Sequence, residues 1–120
     1  MLHTVRTQAE HFRHLIPMAQ QRYTVHALDL PGMGYSQIVP GASYEEPAMR
    51  AAVKRLVTQL DLRDVTLLGE SMGAVLALTT AADLPDRVQR VVAVNAYDYA
   101  GGIARSGLLA RLIITGVIMH

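Results

Sequence analysis

The sequence predicts an α/β fold, a parallel sheet with helices on both faces, and three observations lead there. Short apolar runs with no polar face recur along the chain, as in DVTLLG (64–69) and RVVAVN (90–95). Segments of helical periodicity separate these runs, so the order reads helix, strand, helix, strand, helix, strand. Strands without a polar face must be covered on both sides, and the intervening helices are available to cover them.

Each element has a local justification. Thr7-Gln8-Ala9-Glu10 fits the S/T-x-x-E capping box, and Phe12, Leu15, Ile16 and Ala19 follow at helical spacing. This predicts a helix over about 7–21. YTVHALDL (23–30) is β-branched and apolar and is closed by Pro31-Gly32, the signature of a strand and a turn. Residues 31–46 read as loop, with Gly32, Gly34, Pro40 and Gly41. Pro47 sits where a helix start tolerates proline, and Ala52, Val53, Leu56, Val57 and Leu60 form one apolar face of a helix over about 46–60. After the strand core 64–69, the stretch from Ser71 to Ala82 is helical in pattern and apolar on nearly every side, so that helix is expected to be buried. Leu84-Pro85-Asp86 stops it, and a buried strand follows over 88–95. Beyond Asn95 come a glycine-rich loop and an apolar tail, LLARLIITGVIM (108–119).

Composition narrows the function. The 120 residues are the size of one small domain, read as a single unit over 1–120. Apolar residues make up 51%, charged residues 18%, and mean hydropathy is +0.22, which is globular. The net charge of +1 and the lack of a basic run suggest neither nucleic acid nor an anionic membrane surface as partner. No cysteine is present, so a disulfide framework and thiolate metal sites are excluded. With no apolar secretory h-region in MLHTVRTQAEHF, this fits a reducing compartment, and a cytoplasmic location is expected. The apolar tail is 12 residues with an internal arginine, short of the roughly 20 that span a bilayer.

The chemistry centres on Gly69-Glu70-Ser71-Met72-Gly73, a G-x-S-x-G between a predicted strand and a predicted helix. Such a turn is so tight that the serine backbone is strained and its neighbours must be small. It raises the hydroxyl at the carboxyl end of the sheet, where helix amides favour developing negative charge. Ser71 is the candidate nucleophile, and the Met72 amide is one of two expected donors to an oxyanion. The plainer reading is a turn whose serine caps the helix. Gly32-x-Gly34 lacks the third glycine and the following helix of a dinucleotide fingerprint, and no G-K-[ST] is present. No cofactor is implied.

DLPGMGYS (29–36), about forty residues before GESMG, resembles the α/β-hydrolase superfamily, in which D-x-P-G-x-G-x-S ends one strand and the nucleophile elbow ends the next. The resemblance covers essentially the whole chain. It implies an eight-stranded, mostly parallel sheet, of which residues 1–3, 23–29, 64–69 and 88–95 would be the middle, and a helical cap beginning over 96–120. It also implies that the second oxyanion donor lies in the loop that usually carries His-Gly. Here that loop reads His3-Thr4-Val5, so the amide of Val5 or of Thr4 is the candidate and threonine replaces glycine. A serine in the elbow does not match the aspartate nucleophiles of dehalogenase and epoxide-hydrolase type.

The rest of a triad is not legible. Family order is nucleophile, acid, histidine, and the only histidine after Ser71 is His120, on an apolar tail. His11 and His14 read as solvent-facing helix residues without the further ligands zinc needs, and His26 as a hydrogen-bonded structural histidine. His3 is expected to shape the oxyanion loop, Asp29 to tie down its own loop, and Glu70 to pack the turn. Asp98 is a weak candidate acid, and Asn95 carries no charge. The expectation is therefore the central segment of a serine hydrolase acting on an ester, thioester or amide carbonyl of a small-molecule substrate, lacking its base and acid and so inactive alone. The alternative is a non-catalytic α/β domain.

Overall fold

The computed structural model describes residues 1–96. Asp98, His120 and the apolar tail lie outside them, as does the expected cap but for its first residue.

A 3-10 turn, Ala9–Phe12, leads to a short helix α1, Ile16–Ala19. Then follow α2 (Glu46–Gln59), β1 (Val65–Glu70), α3 (Met72–Asp83) and β2 (Val88–Val94). β1 and β2 pair in parallel, with Leu67 opposite Val91 and Gly69 opposite Ala93. The ladder continues through Leu2, which bridges Gly69 on one side and Leu28 on the other, both in parallel. Leu2 donates to Leu68 O at 2.8 Å, and its own carbonyl accepts from Glu70 N at 3.1 Å. The spatial order is thus Leu28, Leu2, β1, β2, whereas the chain visits Leu2 first.

α3 packs on β1 and β2, and α2 packs on α3. Gly73 through Ala77, Thr79 and Thr80 of α3 are buried, as its all-round apolar pattern requires. The core joins Leu2, Leu30, Met49, Val53, Leu67, Leu76, Ala77 and Val88. Pro47 stands in the first turn of α2, where its missing N–H costs nothing. The face that α2 buries is Met49, Val53 and Val57, four residues apart; Leu60, expected on it, is 50% exposed. Leu60 follows the last helical residue, so it has left that stripe.

Two sequence expectations are corrected. The single helix over 7–21 is instead a 3-10 turn and a separate short helix. Pro17 has no N–H to continue a helix and starts α1 afresh. The capping box does not form, because the Thr7 hydroxyl donates to Thr4 O at 3.0 Å and the Ala9 N–H is taken by Asp29 Oδ1 at 2.6 Å. The strand over 23–30 reduces to a bridge at Leu28. Its pairing is confined to the 26–28 end, where the His26 carbonyl accepts from Met1 N, Leu28 N donates to Met1 O and Leu28 bridges Leu2.

Candidate active site

β1 ends in a turn that few residues adopt. Ser71 has φ 53° and ψ −114°, outside the regions open to L residues, and its side chain makes no capping bond to α3. The plain reading of Ser71 as a helix cap is therefore not what the geometry contains. The turn is held through the backbone: Ser71 N donates to Val94 O at 2.9 Å, and Ser71 O accepts from Ala74 N at 3.0 Å. Both flanking glycines are sterically required. A Cβ on Gly69 would stand 2.1 Å from Gly73 O, and one on Gly73 would stand 2.1 Å from Leu2 O. The second contact sets the first turn of α3 against the Leu2–His3 backbone, and so beside the loop that follows it.

The sheet order gives this place a topological reason. From Leu2 the chain crosses to Leu28 on one side; from β1 it crosses to β2 on the other. A crevice opens at the carboxyl ends of strands where the winding reverses, and here it falls between Leu2 and β1. Ser71 and the Thr4–Val5 loop are the residues leaving those two strands.

His3 is fully buried and shapes that loop, as expected. Its Nε2 accepts from Leu30 N at 3.0 Å, and a backbone N–H can only donate, so Nε2 carries no proton. Nδ1 then holds the proton and donates to Thr4 O at 2.7 Å. With the Thr7 hydroxyl on the same oxygen, the Thr4 carbonyl is fixed, and in a planar trans peptide the Val5 N–H points the opposite way. Val5 N–H has no backbone acceptor among the described residues. The Met72 N–H belongs to the unsatisfied first turn of α3. Threonine at position 4 needs no left-handed backbone; the positive φ, 61°, falls on Arg6.

Asp29 ties down its loop as read from the sequence. Its two carboxylate oxygens accept from Ala9 N at 2.6 Å and Tyr35 N at 2.9 Å, which holds its pKa below the usual carboxylate range. Gly34, at φ 54°, lies so close that a Cβ would meet the Asp29 carboxyl carbon at 2.4 Å. Glu70 points to the sheet face away from α3. There Oε2 lies 2.8 Å from His11 Nε2, close enough for an ion pair but outside hydrogen-bond alignment, and Oε2 is buried. His11 is exposed, as expected, and its approach to Glu70 adds a partner 59 positions away for which the sequence held no signal. His26 is corrected. Its ring is exposed and unbonded among the described residues, and only its carbonyl is used, accepting from Met1 N at 2.6 Å. His14 is exposed, as expected.

An open cleft of about 720 Å³ runs beside this loop, between Arg6–Arg13 and Gly32–Gly34. Its lining stops short of Ser71. Among the described residues no side chain hydrogen-bonds Ser71 Oγ, and no group of three His, Asp or Glu could hold a metal ion. No helix among them is long and apolar enough to cross a membrane.

These features agree with what the chain is similar to. The family described as the alpha/beta hydrolase fold matches residues 2–111, and the chain belongs to it. The magnesium-chelatase 30 kDa subunit of Rhodobacter capsulatus is 33% identical over 105 residues, which are 87% of this chain and 36% of that protein. A 2-hydroxy-6-oxononadienedioate/2-hydroxy-6-oxononatrienedioate hydrolase of Escherichia coli is 31% identical over 80 residues, 67% of this chain and 28% of that one. The crystal structure of E-2-(acetamidomethylene)succinate hydrolase superposes with a TM-score of 0.75 at 31% identity, covering 82% of this chain and 36% of the other. The chain thus spans about a third of the length of the relatives it matches.

Proposed function

We propose that the protein containing these residues is a serine hydrolase acting on an ester, thioester or amide carbonyl of a small molecule, with Ser71 as its nucleophile. The observation that carries this is the backbone of Ser71, held at φ 53° and ψ −114° between two glycines that cannot accept a Cβ. A non-glycine residue in such a conformation costs of order 1–3 kcal/mol, and that cost is tolerated where the strain serves a function. Ser71 Oγ would attack the carbonyl carbon while a histidine outside the described residues takes its proton. The amides of Met72 and Val5 are the oxyanion donors; Thr4 N–H is the lesser candidate, because the locked Thr4 carbonyl aims the Val5 N–H. The leaving group departs with the histidine's proton, and water releases the acyl group. His3 takes no part in proton transfer, since backbone groups occupy both of its ring nitrogens.

The test is fluorophosphonate labelling of the natural polypeptide that carries this chain, with peptide mass mapping. Ser71 is expected to take the label, and Ser71→Ala to lose both label and esterase activity while keeping its fold. Esterase activity that survives Ser71→Ala would overturn the assignment. A second reading, a non-catalytic domain, draws on the Rhodobacter relative, which is named as a chelatase subunit rather than a hydrolase. It predicts a folded wild-type protein that the probe does not label.

A further inference from the structure

We propose that His11 and Glu70 form a positioning pair for Ser71. The imidazole holds the Glu70 carboxylate on the sheet face away from α3, and so fixes the strained backbone of the residue that follows. The effect of the pair on rate rests on the nucleophile reading above; its effect on the turn does not.

Among the described residues no other group pairs with the Glu70 carboxylate. Glu46, Asp61 and Asp83 are met by arginines or a lysine, and Asp29 by backbone amides. Glu70 Oε2 is instead buried without a hydrogen bond, and His11 Nε2 stands 2.8 Å from it. A buried carboxylate oxygen left unpaired is costly, and a proton on Nε2, brought into line by a small turn of either side chain, would satisfy it. His11 is held in place to do this. Its 3-10 turn is tied to Asp29 through the Ala9 N–H at 2.6 Å and seated by the buried ring of Phe12. The imidazole stands edge-on to that ring, with centroids 5.4 Å apart. Pairs between two freely moving surface side chains contribute little, because ordering both offsets the attraction. Here one oxygen is enclosed and the imidazole is braced, so less is lost on pairing.

Position makes the pair matter. Glu70 is the last residue of β1, and the peptide it shares with Ser71 enters the turn. A strained residue persists only where its surroundings over-determine it. On the α3 side Gly73 lies against Leu2 O, and toward β2 the Ser71 N–H is bound to Val94 O. The Glu70 side chain is the anchor on the remaining face. Released from His11, the Glu70–Ser71 peptide is free to rotate and relax the Ser71 backbone, which carries the hydroxyl and the Met72 N–H out of line. The titratable and charged groups about His11 are Glu70 from β1, Glu10 and Arg13 beside it in the chain, Arg6 in the cleft they line, and the Asp29 that binds its turn. Glu10 is engaged by Gln8 Nε2 at 3.1 Å. His3, on the strand beside β1, has both ring nitrogens occupied by backbone groups. The ring of His11 has no hydrogen bond among the described residues, so it is the imidazole near the turn that is open to a proton.

The experiment follows the backbone amide signals of Ser71 and Met72 by nuclear magnetic resonance in the full-length protein, from about pH 5 to 8, where histidines exchange their proton. Both signals are expected to move in the wild type and to lose most of that movement in His11→Ala and in Glu70→Gln. Hydrolysis of p-nitrophenyl acetate is measured beside it. Each substitution should lower kcat about tenfold with KM little changed, less than the roughly 100-fold that a 1 Å misplacement costs. The double variant should be no slower than the single ones, because the two side chains act as one unit. Signals that stay still in the wild type, or that move equally in His11→Ala, would overturn the pair. So would a kcat untouched by both substitutions in an active wild type, losses that multiply in the double variant, or a loss confined to KM, which would make His11 a substrate contact instead. If the wild type neither hydrolyses esters nor labels at Ser71, the nucleophile reading falls, and the amide signals still decide whether the pair holds the turn.

Discussion

Ser71 sits in a conformation that glycine would occupy without penalty. Ser71→Gly should therefore raise stability by about 1 kcal/mol while abolishing activity, whereas Ser71→Ala should abolish activity with no such gain. Thermal melts of the two variants make the comparison; equal melting points would mean that the turn stores no strain. At Gly73 the direction reverses. A methyl group 2.1 Å from Leu2 O forces α3 away from the residue 2–3 strand, and Gly73→Ala should cost about 3 kcal/mol. Asp29 supplies a pH dependence. Its folded pKa is lowered by the Ala9 and Tyr35 amides, so its contribution is full above the ordinary carboxylate value of about 3.9 and is lost as pH falls through the lower folded value. Urea melts should show a stability gap between wild type and Asp29→Asn that is constant near neutrality and closes only below about pH 4. A gap that persists unchanged at pH 2 would exclude the carboxylate as its source.

Among the elements, α3 carries the most burial, and Leu76 at its centre is fully enclosed. Leu76→Ala should destabilise by roughly 2–5 kcal/mol, measured by denaturant unfolding, because the cavity lies between α2 and the sheet with little room to collapse. The periodic patterns of α2, β1, α3 and β2 were all legible in the residues, since each depends on apolar spacing and a nearby proline or glycine. The first helix was not. Its apolar spacing spans Pro17, and its capping residues are claimed by Thr4 and Asp29, so tertiary hydrogen bonds outweighed a local signal. The strand at 23–30 likewise has strand composition, but a strand is defined by its neighbour, and among the described residues only its 26–28 end has one.

Across the described residues as a whole, one sheet face is only partly covered. Leu67 and Val91 pack toward α3, while Val92 and Val94 on the other face are 44% and 42% exposed. A parallel sheet is ordinarily covered on both sides, and the relatives are about three times longer than this chain. Residues 1–120 expressed alone should bind a hydrophobic dye and self-associate in sedimentation, and the longer natural polypeptide should do neither. Dye-free monomers of the short chain would mean that it covers this face itself. The tight strand-to-helix turn at Ser71 was readable because its requirements are steric and local: two glycines, a serine, a strand before and a helix after. So was the carboxylate at Asp29, whose partners include its own loop. What no spacing could reveal is the reversal of winding that puts Leu2 between Leu28 and β1. From that follow the His3 lock on Thr4, made through Leu30, and the approach of His11 to Glu70. Those contacts join residues 27 and 59 positions apart, and only the folded backbone, by deciding which strands are neighbours, determines which distant side chains meet.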